Sequence, residues 1–303
     1  MTRIVIAGSL NMDLVVPVPR LAREGETLAG GDLALIPGGK GANQACAVAR
    51  LGGRAAMVGQ VGSDVFGTKL IDGLRADGAD VSGIGISEGA TGTAFIAVLP
   101  SGENSILISP GANGRLTAAD AVSRIGEAGF VLCQFEVPME TVAAVLAHGR
   151  AREMVTILDP APARTLSAEL LGLVDWLTPN ETEAELLLGG PVDDPRAAAL
   201  RLREMGARGV IVKLGAAGCW VSGAGVDAAV PGFAVTAVDT TAAGDTFNGA
   251  LAVALAEGRP ILEAARFANA AAAISVTRAG AQSSVPSREE VEAFLGSAPS
   301  GHL

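Results

Sequence analysis

Tyrosine is absent from this 303-residue chain, and aromatic residues amount to only 3%. That shortage excludes the stacking platforms on which single-stranded nucleic acid is held. Basic charge is short as well. Lys and Arg number 22 against 32 Asp and Glu, for a net charge of −10, and no run of basic residues occurs. A binder of phosphate backbones needs such a run, so no nucleic-acid partner is expected. The histidines, His148 and His302, are too few and too far apart for a His-based metal centre. Cys46, Cys133 and Cys219 fit neither zinc spacing nor a disulfide framework; their apolar contexts predict packed thiols in a reducing cytoplasm. No apolar stretch is long enough to cross a membrane, and the N-terminus lacks the layout of a signal peptide. A cytoplasmic protein with no membrane partner is expected.

Several catalytic spellings are missing too. There is no Gly-x-x-x-x-Gly-Lys-Ser/Thr loop, and no Gly-x-Gly-x-x-Gly opens a helix after the first apolar run. Gly85-Ile86-Ser87-Glu88-Gly89 spells a nucleophile elbow, but strand-like sequence follows it and no His accompanies it. Asn180-Glu181-Thr182 spells a glycosylation acceptor, which has no meaning in a cytoplasmic protein.

What is present is 49% hydrophobic residues, enough for a large core. Length allows two domains or one large α/β unit. Strand-like runs fall at Ile4–Ala7, Ala55–Val61, Phe130–Gln134, Met154–Leu158, Trp176–Thr178 and Val210–Leu214. Helical patterns lie between them at Ala42–Leu51, Phe66–Ala76, Ala118–Ala128, Thr141–Ala151, Glu181–Leu188 and Pro195–Met205. Alternating β and α units with near-continuous apolar strands predict a mostly parallel sheet covered on both faces. Asp13–Ile36 and Gly92–Ser109 break the rhythm; the second reads as a hairpin around Ser101-Gly102. Extra strands there form either a small lid or ordinary edge hairpins. The tail from Gly296 to Leu303 is expected to be disordered.

Chemistry concentrates in Asp239-Thr240-Thr241-Ala242-Ala243-Gly244-Asp245, which runs into an apolar helix. Such a turn aims backbone N–H groups at one point and suits a phosphate, with the Asp245 carboxylate beside it as a general base. A cap or dipole partner of the helix is the other reading of Asp245. Gly38-Gly39-Lys40-Gly41-Ala42-Asn43-Gln44-Ala45 lets backbone approach a ligand, with Lys40 and Asn43 as donors, or is a plain helix-start loop. Asn11 and Asp13 point the same way on an extended segment and suit a diol, or form an Asx turn.

Together with Asp159-Pro160-Ala161-Pro162-Ala163-Arg164, Thr178-Pro179-Asn180-Glu181-Thr182-Glu183 and Gly280–Pro286, these motifs resemble the PfkB family of sugar kinases over nearly the whole chain, and most of all its kinases of free ribose. Asp159 departs from that pattern, which often has Asn there, and Lys213 departs from a small hydroxyl residue; Lys213 either reaches a phosphate or points to solvent. The resemblance implies one kinase domain over 1–303, a three-layer α/β/α sandwich with a mostly parallel central sheet and a small β-sheet lid built from about 13–36 and 92–109. It implies ATP-dependent phosphorylation of D-ribose at its terminal hydroxyl, the alternatives being deoxyribose, fructose, a keto-deoxy sugar acid or a nucleoside. A non-catalytic sensor on the same fold is the remaining class. Asp245 is implied as the base, with Ala242, Ala243 and Gly244 completing the anion hole. Sugar contacts are implied at Asn11, Asp13, Gly39, Lys40, Asn43 and Glu136. Nucleotide contacts are implied at Asn180, Glu183, Lys213, Gly215, Gly218, Gly244 and Asn269, with Mg²⁺ supported by Asn180 and Glu183. An activating K⁺ is implied at Asp239, Thr241, Ser275, Arg278, Gly280 and Ser284. Exposed lid edges would pair two subunits, so a homodimer through the lid is expected.

Overall fold

Strands that are apolar on both faces need cover on both sides. The structure, a computed structural model that describes residues 2–297, supplies it with helices on each face of a large sheet. In chain order the strands are β1 (Arg3–Ala7), β2 (Asn11–Pro17), β3 (Ala34–Gly38), β4 (Arg54–Gly62), β5 (Asp80–Ser87), β6 (Gly92–Val98) and β7 (Asn104–Ser109). There follow β8 (Phe130–Cys133), β9 (Val155–Leu158), β10 (Trp176–Leu177), β11 (Gly209–Lys213), β12 (Gly218–Gly223) and β13 (Val226–Pro231). Nine of them form the central sheet in the order β13-β12-β11-β10-β9-β8-β1-β4-β5. Pairing is parallel from β11 through β5, and β12 and β13 add an antiparallel edge.

Side chains alternate between two cores as a strand's period of two requires. Ile4 and Ile6 of β1 face one core, Val5 and Ala7 the other; Phe130 and Leu132 of β8 oppose Val131 and Cys133 in the same way. The first core is closed by α1 (Lys40–Arg50), α2 (Val65–Ala76), α8 (Ala243–Ala256), α9 (Ile261–Ser275) and α10 (Arg288–Ser297). The second is closed by α3 (Ala118–Ile125), α4 (Met139–Ala151), α5 (Ala168–Leu171), α6 (Glu181–Leu188) and α7 (Pro195–Glu204). This is the expected three-layer sandwich.

Four strands form a second sheet in the order β3-β2-β6-β7, with β2 and β6 parallel and the outer pairs antiparallel. They fall in the two segments that break the βα rhythm, and β6 and β7 join through Gly102 at φ +86° as the hairpin pattern predicts. β5, β12 and β13 are strands that the apolar-run criterion does not find. β5 alternates Gly with Ile, and β12 and β13 carry Gly, Ser, Asp and Ala, so none reads as a continuous apolar run. Helix α10 extends through Gly296 and Ser297, the first two residues of the tail expected to be disordered; residues 298–303 lie outside the described residues. Among the described residues no helix is long and apolar enough to cross a membrane.

Candidate active site

In an open parallel sheet a crevice forms at the carboxyl ends of strands where the order reverses. Here the chain goes from β1 to β4 on one side and to β8 on the other, so the crevice opens after Ala7 and Cys133. Ser9 follows β1 and Glu136 follows β8, and the Ser9 hydroxyl donates to Glu136 Oε2 at 2.5 Å across that gap. The crossover Gly8-Ser9-Leu10 then carries the chain into β2 of the small sheet, so Asn11 and Asp13 stand between the two sheets.

The anion turn sits at the start of α8. Ala242 takes the left-handed conformation at φ +58°, which costs a non-Gly residue energy and is kept only where the surroundings enforce it. No side chain caps this helix. Thr246 N–H closes the first turn on Ala242 O at 2.8 Å, and Ala243 N–H reaches back to Thr240 O at 3.3 Å. The amides of Gly244 and Asp245 belong to the first turn, which has no carbonyl of its own to bond. They are the donors left for an anion. The helix cannot shift easily, because Phe247, Leu251 and Val253 are fully buried and α8 packs between α1 and α9.

Asp245 is 5% exposed. Its Oδ2 accepts from Asn43 Nδ2 at 2.9 Å and its Oδ1 from Gln44 Nε2 at 3.2 Å. Burial is the largest influence on its carboxyl and raises it to about 6; Asp159 and Glu136 push the same way, against Lys40 and the Asn43 hydrogen bond. A carboxylate titrating there is ionised at neutral pH yet basic enough to take a proton. Asp245 is therefore more than a helix cap: its side chain points into a polar cluster rather than back onto its own helix.

On the small-sheet side, Gly38 packs so closely on Asp13 that a Cβ there would lie 2.3 Å from Asp13 Oδ2. Asp13 accepts no hydrogen bond from the described residues, and burial, reinforced by Glu136, lifts its carboxyl to about 7. The Oδ1 of the buried Asn43 likewise has no partner. Glu136 Oε2 also accepts from Lys40 N–H at 3.1 Å, which satisfies one donor at the start of α1. Burial alone would lower the Lys40 ammonium, but the surrounding carboxylates, Asp245 first, hold it above its ordinary range. Asn11, Asp13, Gly39, Lys40, Asn43, Glu136 and Asp245 thus come together in the fold, where the Asp13 carboxylate and Asn43 Oδ1 keep acceptors that no described residue uses.

The residues expected on the nucleotide lie around β11. Asn180 and Glu183 cap α6 reciprocally at 2.8 Å each, which spends Asn180 Oδ1 and Glu183 Oε2. Burial raises the Glu183 carboxyl while Lys213 opposes the rise. Lys213 does not extend into solvent: its Nζ donates to Asp159 Oδ1 at 3.0 Å. Gly215 and Gly218 bound the short turn after β11, and Gly215 is exposed. Asn269 sits farther along, where its Nδ2 donates to the carbonyls of Val230 and Pro231 at 3.2 Å. Of the set expected around a monovalent cation, Asp239, Thr241 and Gly280 are brought together. Asp239 Oδ1 accepts from Thr241 N–H at 2.9 Å, and its Oδ2 accepts from Gly280 N–H at 2.8 Å. Ser275 and Ser284 spend their hydroxyl protons on Ala272 O and Ala281 O, and Arg278 pairs with Glu290. What these residues still offer is mainly backbone carbonyls. Among the described residues no group of three or more His, Cys, Asp or Glu is arranged to hold a metal ion.

Three further residues join this cluster without having been assigned a role from the sequence. Asn113 donates to Asn11 Oδ1 at 2.7 Å and grips the backbone of Leu10 with the same side chain. Gln44 bridges Asp245 and Asp159, each at 3.2 Å. Gln134 donates to Gln44 Oε1 at 2.6 Å and so fixes which way that amide faces. Gln44 follows Asn43 directly and was within reach of the motif; Asn113 and Gln134 lie on other elements with no sequence signal.

Residues 1–288 match the pfkB family of carbohydrate kinases. The chain is 44% identical over 297 residues to a ribokinase of Haemophilus influenzae, covering 96% of this chain and 97% of that protein. It is similar to the crystal structure of a ribokinase from Thermotoga maritima, with a TM-score of 0.91 and 42% identity over 98% of this chain and 100% of the other. It is similar as well to an Arabidopsis thaliana ribokinase complexed with ribose and ATP, with a TM-score of 0.91 and 34% identity over 98% and 99% of the two chains.

Proposed function

Because the chain belongs to the pfkB family of carbohydrate kinases, we propose that it transfers the γ-phosphoryl group of ATP to the terminal hydroxyl of D-ribose, giving ribose 5-phosphate and ADP. The observation that carries this reading is the buried Asp245 carboxylate beside an uncapped helix N-terminus. Asp13, Asn43 and Asn11 hold the sugar hydroxyls and aim the terminal one at Asp245, while Glu136, Lys40 and Gly39 close the pocket around it. Asp245 takes the hydroxyl proton as the oxygen forms its bond to the γ-phosphorus and the bond to the β-phosphate oxygen breaks. The amides of Gly244 and Asp245, with Ala242 and Ala243 shaping the turn, meet the charge on the transferring group.

Asn180, Glu183, Lys213, Gly215, Gly218, Gly244 and Asn269 are assigned to the nucleotide. The free oxygen of Glu183 fits water-mediated support of Mg²⁺, which neutralises phosphate charge when bound with ATP. The carbonyl-rich cluster of Asp239, Thr241, Ser275, Arg278, Gly280 and Ser284 suits a large monovalent cation such as K⁺, whose charge would steady the turn. The small sheet acts as the lid that keeps water from the phosphoryl group. A cytoplasmic setting suits both ATP and three free buried cysteines, whose thiols burial raises, Cys219 to about 12.

The test is an ADP-release assay over a sugar panel, with and without K⁺. Ribose should be the best acceptor, K⁺ should raise the rate, and Asp245→Asn should lose on the order of a hundredfold or more in kcat. Turnover centred on another sugar would keep Asp245 as base and overturn the substrate assignment. ATP binding without turnover on any sugar would overturn the kinase reading.

A further inference from the structure

Asn113 lies in the turn Gly111–Arg115, just after β7 leaves the small sheet, and is 1% exposed. Three segments meet at its side chain: the β1–β2 crossover, the start of β6 and its own turn. Its Oδ1 accepts from Leu10 N–H at 2.9 Å, and its Nδ2 donates to Leu10 O at 3.1 Å and to Asn11 Oδ1 at 2.7 Å. Asn11 stands opposite Gly92 across β2 and β6, and a Cβ on Gly92 would lie 2.1 Å from Asn113 Nδ2 and 2.4 Å from Asn11 Oδ1. Ala112 N–H ties the turn to Ala90 O at 2.9 Å.

The direction of these bonds is fixed. A backbone N–H can only donate and a backbone C=O can only accept, so Leu10 decides which way the Asn113 amide faces. Asn113 then presents an N–H to Asn11, and Asn11 must turn its oxygen toward it. The Asn11 Nδ2 points the other way and has no acceptor among the described residues, on a side chain only 4% exposed. A buried N–H without an acceptor is costly, so it is a donor kept for a ligand.

We infer that Asn113 is a positioning residue that makes Asn11 a donor only toward the sugar. The group bound at Asn11 must therefore accept a hydrogen bond. Asp13 stands on the same face of β2 and, when ionised, can only accept. A hydroxyl satisfies both, its oxygen accepting from Asn11 and its proton going to Asp13. Asn113 thus sets the proton direction of a bound diol without touching it, and no covalent bond is made or broken. This inference rests on the kinase reading. It adds a residue outside the assigned sugar contacts and a polarity that those contacts do not fix by themselves.

The experiment is a double-mutant cycle in steady-state kinetics on the full chain, with the best acceptor of a sugar panel, expected to be D-ribose. Asn113→Ala would strip Leu10 of both partners and endanger the crossover. Asn113→Asp is nearly isosteric, keeps the acceptor for Leu10 N–H and removes the donor that Asn11 answers; thermal melting checks its folding. It should raise the KM for the sugar about tenfold, with kcat and the KM for ATP held to within about twofold. On an Asn11→Ala background the same substitution should change the sugar KM by less than about twofold, because the residue it acts through is gone. Equal rises in both backgrounds overturn the inference, since Asn113 is then only a structural tie. An unchanged KM in the first background overturns it as well. If Asn113→Asp does not fold, the unaltered protein decides the matter by NMR of side-chain NH2 groups. The Asn11 signal, identified by its loss in Asn11→Ala, should move on saturation with the sugar, and a signal that stays in place overturns the inference. A parent protein that turns over no sugar with ATP overturns the kinase reading, and this inference falls with it.

Discussion

At the scale of single residues, the proposed chemistry depends on a carboxylate held where the fold would rather not have a charge. Asp245 titrates at about 6 in the folded protein against 3.8 for an unperturbed Asp, with burial the main cause. Two consequences follow in opposite senses. As a base it works only when ionised, so kcat/KM should fall with an acid limb centred near pH 6, and Asp159→Asn, which removes a neighbouring negative charge, should move that limb to lower pH; steady-state rates from pH 5 to 8 check both. As a folded-state group it binds its proton more tightly than the unfolded chain does. Stability is therefore lost as pH rises from about 4 to about 6, and the penalty persists above. Asp245→Asn should then stabilise the protein by about 1–2 kcal/mol at pH 7.5, and the advantage should shrink toward pH 5; denaturant midpoints at the two pH values decide it. An inactive variant no more stable than the parent would show that the Asn43 and Gln44 hydrogen bonds, not desolvation, dominate the energetics of that carboxylate.

At the scale of elements, the site is made by starts of helices meeting ends of strands. Helix α1 begins at Gly39, whose φ of +88° and close approach leave no room for a side chain: a Cβ would lie 2.7 Å from Asn11 N. Gly39→Ala should cost about 1–3 kcal/mol of stability and raise the KM for the sugar several-fold while KM for ATP stays put, because it separates α1 from β2 at the proposed sugar site; melting and steady-state kinetics read the two effects. Helix α8 shows the complementary device. Its apolar side chains are buried all round, so packing rather than a cap fixes the helix, and the first-turn amides stay available. The same packing rule made elements visible in the sequence. β1, β4, β8, β9 and β11 are buried on both faces and read as continuous apolar runs. β12 and β13 form an antiparallel edge with Gly and polar residues, and pairing with β11 rather than composition makes them strands.

At the scale of the whole molecule, the small sheet leaves apolar surface in water. Edge strand β7 is exposed along its whole length, with Leu107 at 69%; Phe95 is exposed beside it, and Leu35 is exposed on the opposite edge strand β3. A patch of this kind on an open sheet edge invites a second copy. The protein should run as a dimer in light scattering, and Leu107→Glu should yield monomers with an unchanged circular dichroism spectrum; a monomeric parent would overturn pairing through the small sheet. The layer order and the anion turn were legible in the sequence because both are local: periodicity decides whether a strand is covered on two faces, and seven consecutive residues place a carboxylate at a helix start. The polar network was not legible. Lys213 meets Asp159 across 54 positions, Gln44 meets Asp159 across 115, and Asn113 meets Asn11 across 102. By itself the sequence determined the α/β alternation, the two segments that leave it for extra strands and the residue types around Asp245. Only the tertiary structure decided which acceptors are spent and which stay free for a ligand, and that Lys213 turns inward to a buried carboxylate. Hydrogen bonding depends on distances between side chains from separate strands and helices, and those distances exist only once the sheet has assembled.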